Sequence, residues 1–174
     1  MQSRPEPPPL PVGRSPRAWA LAAFGRVPEP VRVRVIRWLT PNFTLGALCL
    51  LEHDGRLLML QQSHRWGWTL PGGLVDRGET AAQGVCREVF EEVGLHVEVG
   101  LPIGTVVDAR QHRVDVIFHV PVRQPPSVRA RGEAVRAAWL VPQDAGAVDG
   151  STAQAFALWA ASRRPGAYHG RLLG

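Results

Sequence analysis

Lysine is missing altogether from this 174-residue chain, and cysteine (two), methionine (two) and tyrosine (one) are scarce. So few cysteines exclude a disulfide-stapled fold or a thiolate metal cluster. Cys49 and Cys86 each sit inside an apolar-periodic segment and are expected as buried free thiols. No apolar run approaches the roughly 18 residues of a membrane-spanning helix. The longest apolar stretch near the basic N-terminus, Ala18 to Phe24, is shorter than most signal-peptide cores and has no convincing cleavage site, so a cytoplasmic location is expected. What remains is ordinary: 45% hydrophobic and 20% charged residues, the composition of a soluble globular chain with one sizeable core.

With no lysine, all 20 basic residues are arginine. Residues 1–40 hold seven of them against Glu6 and Glu29, a net +5, whereas residues 41–174 hold 13 arginines against 13 acids, a net zero. A neutral body is a poor binder of duplex nucleic acid, so none is expected as a partner. Guanidinium does suit phosphate recognition.

Residues 1–40 read as a Pro/Arg-rich extension and 41–174 as the folded domain. Eight prolines between Pro5 and Pro30 predict a mostly irregular stretch. Val31 to Leu39 suits a short helix begun by Pro30 and stopped before Pro41, with Val31, Val35, Trp38 and Leu39 on one side and Arg34 and Arg37 opposite. A helix packed on the domain with solvated arginines is favoured over a membrane-surface or partner-binding helix. Membrane contact by the extension and a homodimer both stay open as partner readings.

The body alternates strands and helices. Phe43–Leu51 and Arg56–Gln61, joined by the turn His53-Asp54-Gly55, predict a hairpin. Val97–Val107 is extended, Asp108–His112 is a polar turn, and Val114–Val122 and Val135–Val141 are further strands. Helices are expected from about Thr80 to Val93 and from about Ser151 to Arg163, the latter closed by Pro165 and Gly166.

The informative segment is Gly73 to Leu95, GLVDRGETAAQGVCREVFEEVGL. Thr80 and Gln83 form a capping box and Gly94 sits where helices end in a left-handed residue. Ala82, Val85, Cys86, Val89 and Val93 form a core-facing stripe. Beside it, with Glu88 at zero on a wheel of about 100° per residue, Glu92 lies near +40° and Glu91 near −60°. Gly84 falls on the same face.

That pattern opposes the fold. Like charges at these spacings cost about 0.2–0.5 kcal/mol each, and a mid-helix glycine about 1 kcal/mol. A hard divalent cation, Mg²⁺ or Mn²⁺, relieves the repulsion through carboxylate oxygens. Gly84 is expected to leave room above the metal for a phosphorylated ligand. Arg87 can pair with Glu91 or reach back to Glu79. The paired glycines after Pro71 let backbone approach a ligand, so the Gly72 carbonyl is a further candidate for the metal shell.

The spacing Gly73, five residues, Glu79, seven residues, then Arg87-Glu88-Val89-Phe90-Glu91-Glu92-Val93-Gly94-Leu95 matches every defined position of the Nudix box, and the chain resembles the Nudix hydrolase family. The likeness extends through Trp68-Thr69-Leu70-Pro71-Gly72-Gly73 and the strand order over roughly residues 41–163. The resemblance implies an α/β fold, an α/β/α sandwich with a mixed central sheet. It also implies Mg²⁺-dependent hydrolysis of a nucleoside diphosphate linked to another moiety, a small nucleotide-type substrate. Carried over residue by residue, Glu88, Glu91, Glu92 and the Gly72 carbonyl are metal ligands, and Arg87 and Glu79 an orienting pair. Glu133, six residues before Trp139, is a candidate general base, with Glu88 and Asp115 as alternatives.

Arg65, Arg77, Arg110, His112 and Arg113 are loop residues able to touch phosphate, and Trp66 and Trp68 can stack a base, although Trp68 suits packing under the Gly-rich turn. Subgroup marks are absent: no proline falls between Pro102 and Pro121, and the sole tyrosine is Tyr168. A generic nucleotide or nucleotide-sugar pyrophosphohydrolase is the resulting expectation. The alternative is a non-catalytic domain that senses nucleotides or binds partners.

Overall fold

A computed structural model describes residues 16–40, 42–162 and 170–173. The chain divides into two compact units, Met1–Asn42 and Phe43–Gly174. Tyr168, Pro165, Gly166 and Arg163, and the prolines before residue 16, lie outside the described residues.

The first unit corrects in part the expectation of a mostly irregular stretch up to Pro30, because residues there form a helix, α1 (Pro16–Gly25), whereas α2 (Glu29–Leu39) is the short helix that the sequence suggested over Val31 to Leu39. The reason is local. No proline falls between Pro16 and Pro28, Pro16 occupies a first-turn position where a missing N–H is harmless, and the intervening residues are rich in alanine. Pro30 likewise stands in the first turn of α2, which begins at Glu29, two residues before Val31 where the sequence suggested a start.

The second unit is built on a six-stranded mixed sheet. Its strands are β1 (Thr44–His53), β2 (Arg56–Gln62), β3 (Gly72–Leu74), β5 (Gly104–Asp108), β6 (Arg113–Pro121) and β7 (Ala134–Leu140). They run in the order β5-β6-β1-β2-β7, with β3 beside β1. Only β1 and β6 are parallel. A separate two-stranded ribbon pairs β4 (Val97–Val99) with β8 (Gly170–Leu172). The single extended segment expected over Val97–Val107 is therefore two strands in different sheets. The intervening Gly100-Leu101-Pro102 breaks the ladder, since proline cannot donate to it.

Alternation along β1 sets the two layers. Ala47, Cys49 and Leu51 join Val85, Val89 and Val93 of α3 (Ala81–Val93) in one core. Leu48 and Leu50 join Ala155 and Trp159 of α4 (Gly150–Ala161) in the other. Period-two side chains thus bury both faces of the sheet under helices. This is the α/β/α sandwich that the family resemblance implies. Cys49 is buried and Cys86 half-buried, both as free thiols, and burial raises the pKa of each.

One feature of the sheet positions the carboxylate-bearing helix against the Gly-rich segment. β1 pairs with β2 only near their hairpin, at Glu52–Leu57 and His53–Arg56. At Gly46–Leu48 its antiparallel partner is instead β3. The sheet splits there, and the Gly-rich segment enters the opening against the C-terminal half of α3, where Gly72 meets Glu92 and Gly73 meets Glu88. Among the described residues no helix is long and apolar enough to cross a membrane.

Candidate active site

Helix α3 begins and ends as its sequence dictates. The Thr80 side chain accepts from Gln83 N while the Gln83 side chain accepts from Thr80 N, and Gly94 closes the helix in the left-handed region at φ 71°. Between these ends Arg87 acts as a hub. Its Nε donates to Glu79 Oε1 at 2.9 Å and its Nη2 to Glu79 Oε2 at 3.1 Å. Nη1 reaches Glu88 Oε1 at 2.9 Å and Glu91 Oε2 at 3.2 Å. Nη2 also donates to the Leu74 carbonyl at 3.1 Å, tying the helix to β3. The two pairings the sequence allowed for Arg87 are both made. The guanidinium holds the Glu79 carboxyl below its usual range, helped by the Asp76 N–H, and is itself raised by its carboxylate partners.

The three helix carboxylates share a face but not an environment. Glu91 is 56% exposed, whereas Glu92 is 5% exposed. Glu92 Oε2 accepts from Gly72 N at 2.9 Å and Oε1 from Gln62 Nε2 at 2.8 Å. Burial nevertheless pushes its pKa up to about 7, with the nearby Glu88 charge adding to the rise against those donors. Ladder bonds from Cys49 N to the Pro71 carbonyl and from Val75 N to the Leu45 carbonyl alternate around Gly72. The pleat therefore turns the Gly72 N–H and carbonyl away from β1. A side chain at Gly73 would run into the Glu88 carboxylate, so this glycine is a requirement of the site.

Gly84 corrects an expectation. A Cβ there would lie 3.3 Å from Val75 Cγ2 and from Glu79 Oε2. The missing side chain admits the Val75–Glu79 loop, not a ligand, and lets Glu79 reach Arg87.

Glu133 joins this cluster from the far side. A turn with Gly132 at φ 58° is stitched to α3 by Arg131 N to the Glu92 carbonyl at 2.8 Å, and to the loop after β2 by Ser63 N to the Glu133 carbonyl at 3.2 Å. The Glu133 carboxylate, 76% exposed, lies 3.6 Å from His64 Nδ1. Gly72, Glu88, Glu91, Glu92, Glu133 and His64 line one cavity of about 410 Å³.

An adjoining cavity of about 320 Å³ shares Gly72 and Arg65 and adds Trp66, Gln111, Arg113 and Asp149. Arg65 Nη1 lies 3.6 Å from Asp149 Oδ2, at the border of the two spaces. Arg113 lines the second cavity but directs its Nε to Asp115 Oδ1 at 2.7 Å. Arg77 and Arg110 are exposed and line neither of these two cavities, so of the four arginines only Arg65 and Arg113 are brought to them. His112 instead packs its ring against Phe43.

Asp115 is corrected as a base candidate: it is buried, with its two oxygens taken by Arg113 and by Ser151 Oγ at 2.8 Å. Trp68 packs in the second core, as its position under the turn suggested, while Trp66 is 97% exposed. Gln62, His64 and Asp149 were missed from sequence. Nothing local marks Gln62 and His64 as site residues, because the splitting of the sheet is what brings them to α3, while Asp149 caps α4 and reaches the second cavity from there.

As placed, Glu88 and Glu91 face Arg87 and Glu92 faces its own donors. Among the described residues no three His, Cys, Asp or Glu side chains converge on one point. The donor chemistry still fits a hard divalent cation: four carboxylates and a backbone carbonyl, all oxygen, around one cleft. Glu92 adds a buried acid that a cation would hold in its charged form.

Comparison with protein-family models matches residues 41–160 to the NUDIX domain. The chain belongs to the Nudix family. It is 35% identical over 98 residues to a MutT-like protein of Streptomyces ambofaciens, covering 55% of this chain and 61% of that one. It is 30% identical over 136 residues to a human 8-oxo-dGDP phosphatase, covering 73% and 39%. The chain thus spans less than two thirds of the length of these curated relatives. Among solved structures it resembles a MutT Nudix hydrolase from Burkholderia pseudomallei, with TM-score 0.58 and 25% identity over 66% of this chain and 96% of that one. An ADP-ribose pyrophosphatase from Streptococcus suis shares the fold, with TM-score 0.62 and 21% identity over 76% and 98%.

Proposed function

We propose that this Nudix protein hydrolyses a pyrophosphate bond in a nucleoside diphosphate linked to another moiety, with Mg²⁺ as cofactor and Mn²⁺ as a substitute. The substrate class comprises nucleotides, nucleotide sugars and damaged nucleoside triphosphates. The carrying observation is the single cleft lined by Glu88, Glu91, Glu92 and Glu133 beside the Gly72 backbone. The names of relatives support the class, among them the human 8-oxo-dGDP phosphatase and an ADP-ribose pyrophosphatase of Methanocaldococcus jannaschii.

Glu88, Glu91, Glu92 and the Gly72 carbonyl would hold the cation, which when bound neutralises phosphate charge and eases ionisation of water. Arg87, anchored by Glu79, holds the Glu88 and Glu91 carboxylates in a defined arrangement on the helix. Arg65 offers its guanidinium to a phosphate at the border of the two cavities. The neighbouring cavity takes the linked nucleoside, with Trp66 available for stacking. Water adds its oxygen to one phosphorus, the bridging P–O bond breaks toward the other phosphate, and the water's proton passes to the Glu133 carboxylate.

The test is a screen of nucleoside diphosphate derivatives for phosphate-ester release with Mg²⁺. Turnover of at least one compound is expected, with Glu92→Gln lowering kcat by about a hundredfold or more. Absence of turnover for every compound, or a loss within about threefold in that variant, overturns the reading. Tight nucleotide binding without turnover would favour a sensor instead.

A further inference from the structure

We infer that the N-terminal unit docks on an anionic lipid surface, through the exposed apolar stripe of α2 flanked by arginines. The inference is independent of the hydrolytic reading, because it concerns the first unit alone.

Three observations carry it. Large apolar side chains of this unit are at the surface: Trp38 is 86% exposed, and Trp19, Val31, Ile36 and Leu39 are exposed as well. These side chains belong to helices, so no unpaired strand edge invites a β-partner. The unit also carries the whole +5 excess of the chain, with only Glu6 and Glu29 as acids in residues 1–40.

The arrangement on α2 is specific. With Val31 at zero on a wheel of about 100° per residue, the exposed Trp38 and Leu39 and the half-buried Val35 lie between about −20° and +80°, and the exposed Val33 and Ile36 fall outside this stripe. Arg32 falls near +100° and Arg34 near −60°, so arginines border the stripe on both sides; Arg34 flanks the stripe and does not oppose it. Long cationic side chains beside an apolar strip extend toward headgroups while their stems stay in the apolar boundary. An indole suits that boundary too, being apolar in its body with one N–H donor.

A nucleic acid would explain the charge but not the stripe. Phosphate contacts need arginine, and an exposed Trp-Leu pair on the same face gains nothing from a duplex backbone. A bilayer with acidic headgroups answers both features at once.

The experiment uses the full chain and sedimentation with vesicles of pure phosphatidylcholine or of phosphatidylcholine with roughly one third phosphatidylglycerol. Binding to the anionic vesicles is expected, with little to the neutral ones, and it weakens as salt shortens the Debye length. Trp38→Ser with Leu39→Ser should weaken binding about tenfold or more. Arg32→Gln with Arg34→Gln should weaken it about thirtyfold. Trp38, Leu39 and Arg34 are at the surface, whereas Arg32 is half-buried with its Nη1 3.4 Å from the Gly25 carbonyl. An unchanged unfolding midpoint is therefore required of each variant to show that docking and not folding has been tested. Failure to bind anionic vesicles overturns the inference, as does equal binding by the Trp38/Leu39 variant. Binding to duplex DNA as tight as to vesicles also overturns it and assigns the charge to a polyanion.

Discussion

Two residues of α3 hold opposite electrostatic positions only five apart. Arg87 gathers three carboxylates and stabilises that of Glu79 as an anion, whereas Glu92 is buried where its anion is disfavoured. The sign of each effect on stability follows. The lowered Glu79 pKa contributes stability above the ordinary carboxyl range that is lost as pH falls through its folded value. Glu92 does the reverse. Its folded pKa is about 7 against an ordinary 4.5, so between those values the folded state keeps a proton that the unfolded state has released. Stability then falls as pH rises from 4.5 toward 7 and levels beyond it, by on the order of 3 kcal/mol for this group. Denaturant unfolding in chelator at pH 5 and pH 7.5 is expected to show that loss in the wild type relative to Glu92→Gln. Parallel pH dependence in the two proteins would remove Glu92 from the account. Mutating the hub should read out differently: Arg87→Lys keeps one charge but cannot serve Glu79, Glu88, Glu91 and the Leu74 carbonyl together. A kcat loss of about tenfold or more with KM little changed is expected from steady-state kinetics.

Helix α3 was readable in sequence because its signals are local: a capping box, an apolar stripe and a terminal glycine, all realised where the residues stand. Two predictions belong to it. Thr80→Ala removes the acceptor for Gln83 N and should cost about 1 kcal/mol, and Val89→Ala, at a fully buried position, about 2 kcal/mol through the cavity it leaves. Both are measurable by urea titration, and a cost for Thr80→Ala as large as that for Val89→Ala would contradict the local account of the cap. Other elements were legible only in part. β3 and β8 have three residues each, too few for a period-two pattern, and they exist because β1 and β4 offer them an edge. The helix α1 was hidden by counting prolines without noting where they fall. In the site, the residues on α3 and in the Gly-rich turn were legible from spacing. Gln62 and His64 were not, since a register shift between Gln61 and Gln62 and the splitting of the sheet bring them to the carboxylates. Gly84 was misread because a helical wheel shows which face a residue occupies, not what packs against it.

At the scale of the molecule, charge and chemistry are segregated. Every residue assigned to the two cavities of the site comes from Leu48 onward, within the unit that begins at Phe43, and this unit is electrically balanced where the first is strongly basic. Among the described residues none of the first unit lines either cavity, and salt solution screens exposed charges over about 8 Å at physiological ionic strength. Removing residues 1–40 should therefore leave kcat and KM for a soluble nucleotide substrate within about twofold, while abolishing sedimentation with anionic vesicles. Far-UV circular dichroism and an unchanged unfolding midpoint for the remaining unit would show that it keeps its own core. A tenfold or greater fall in kcat, with that core intact, would mean that the first 40 residues contribute to catalysis and that the division of labour between the two units is wrong.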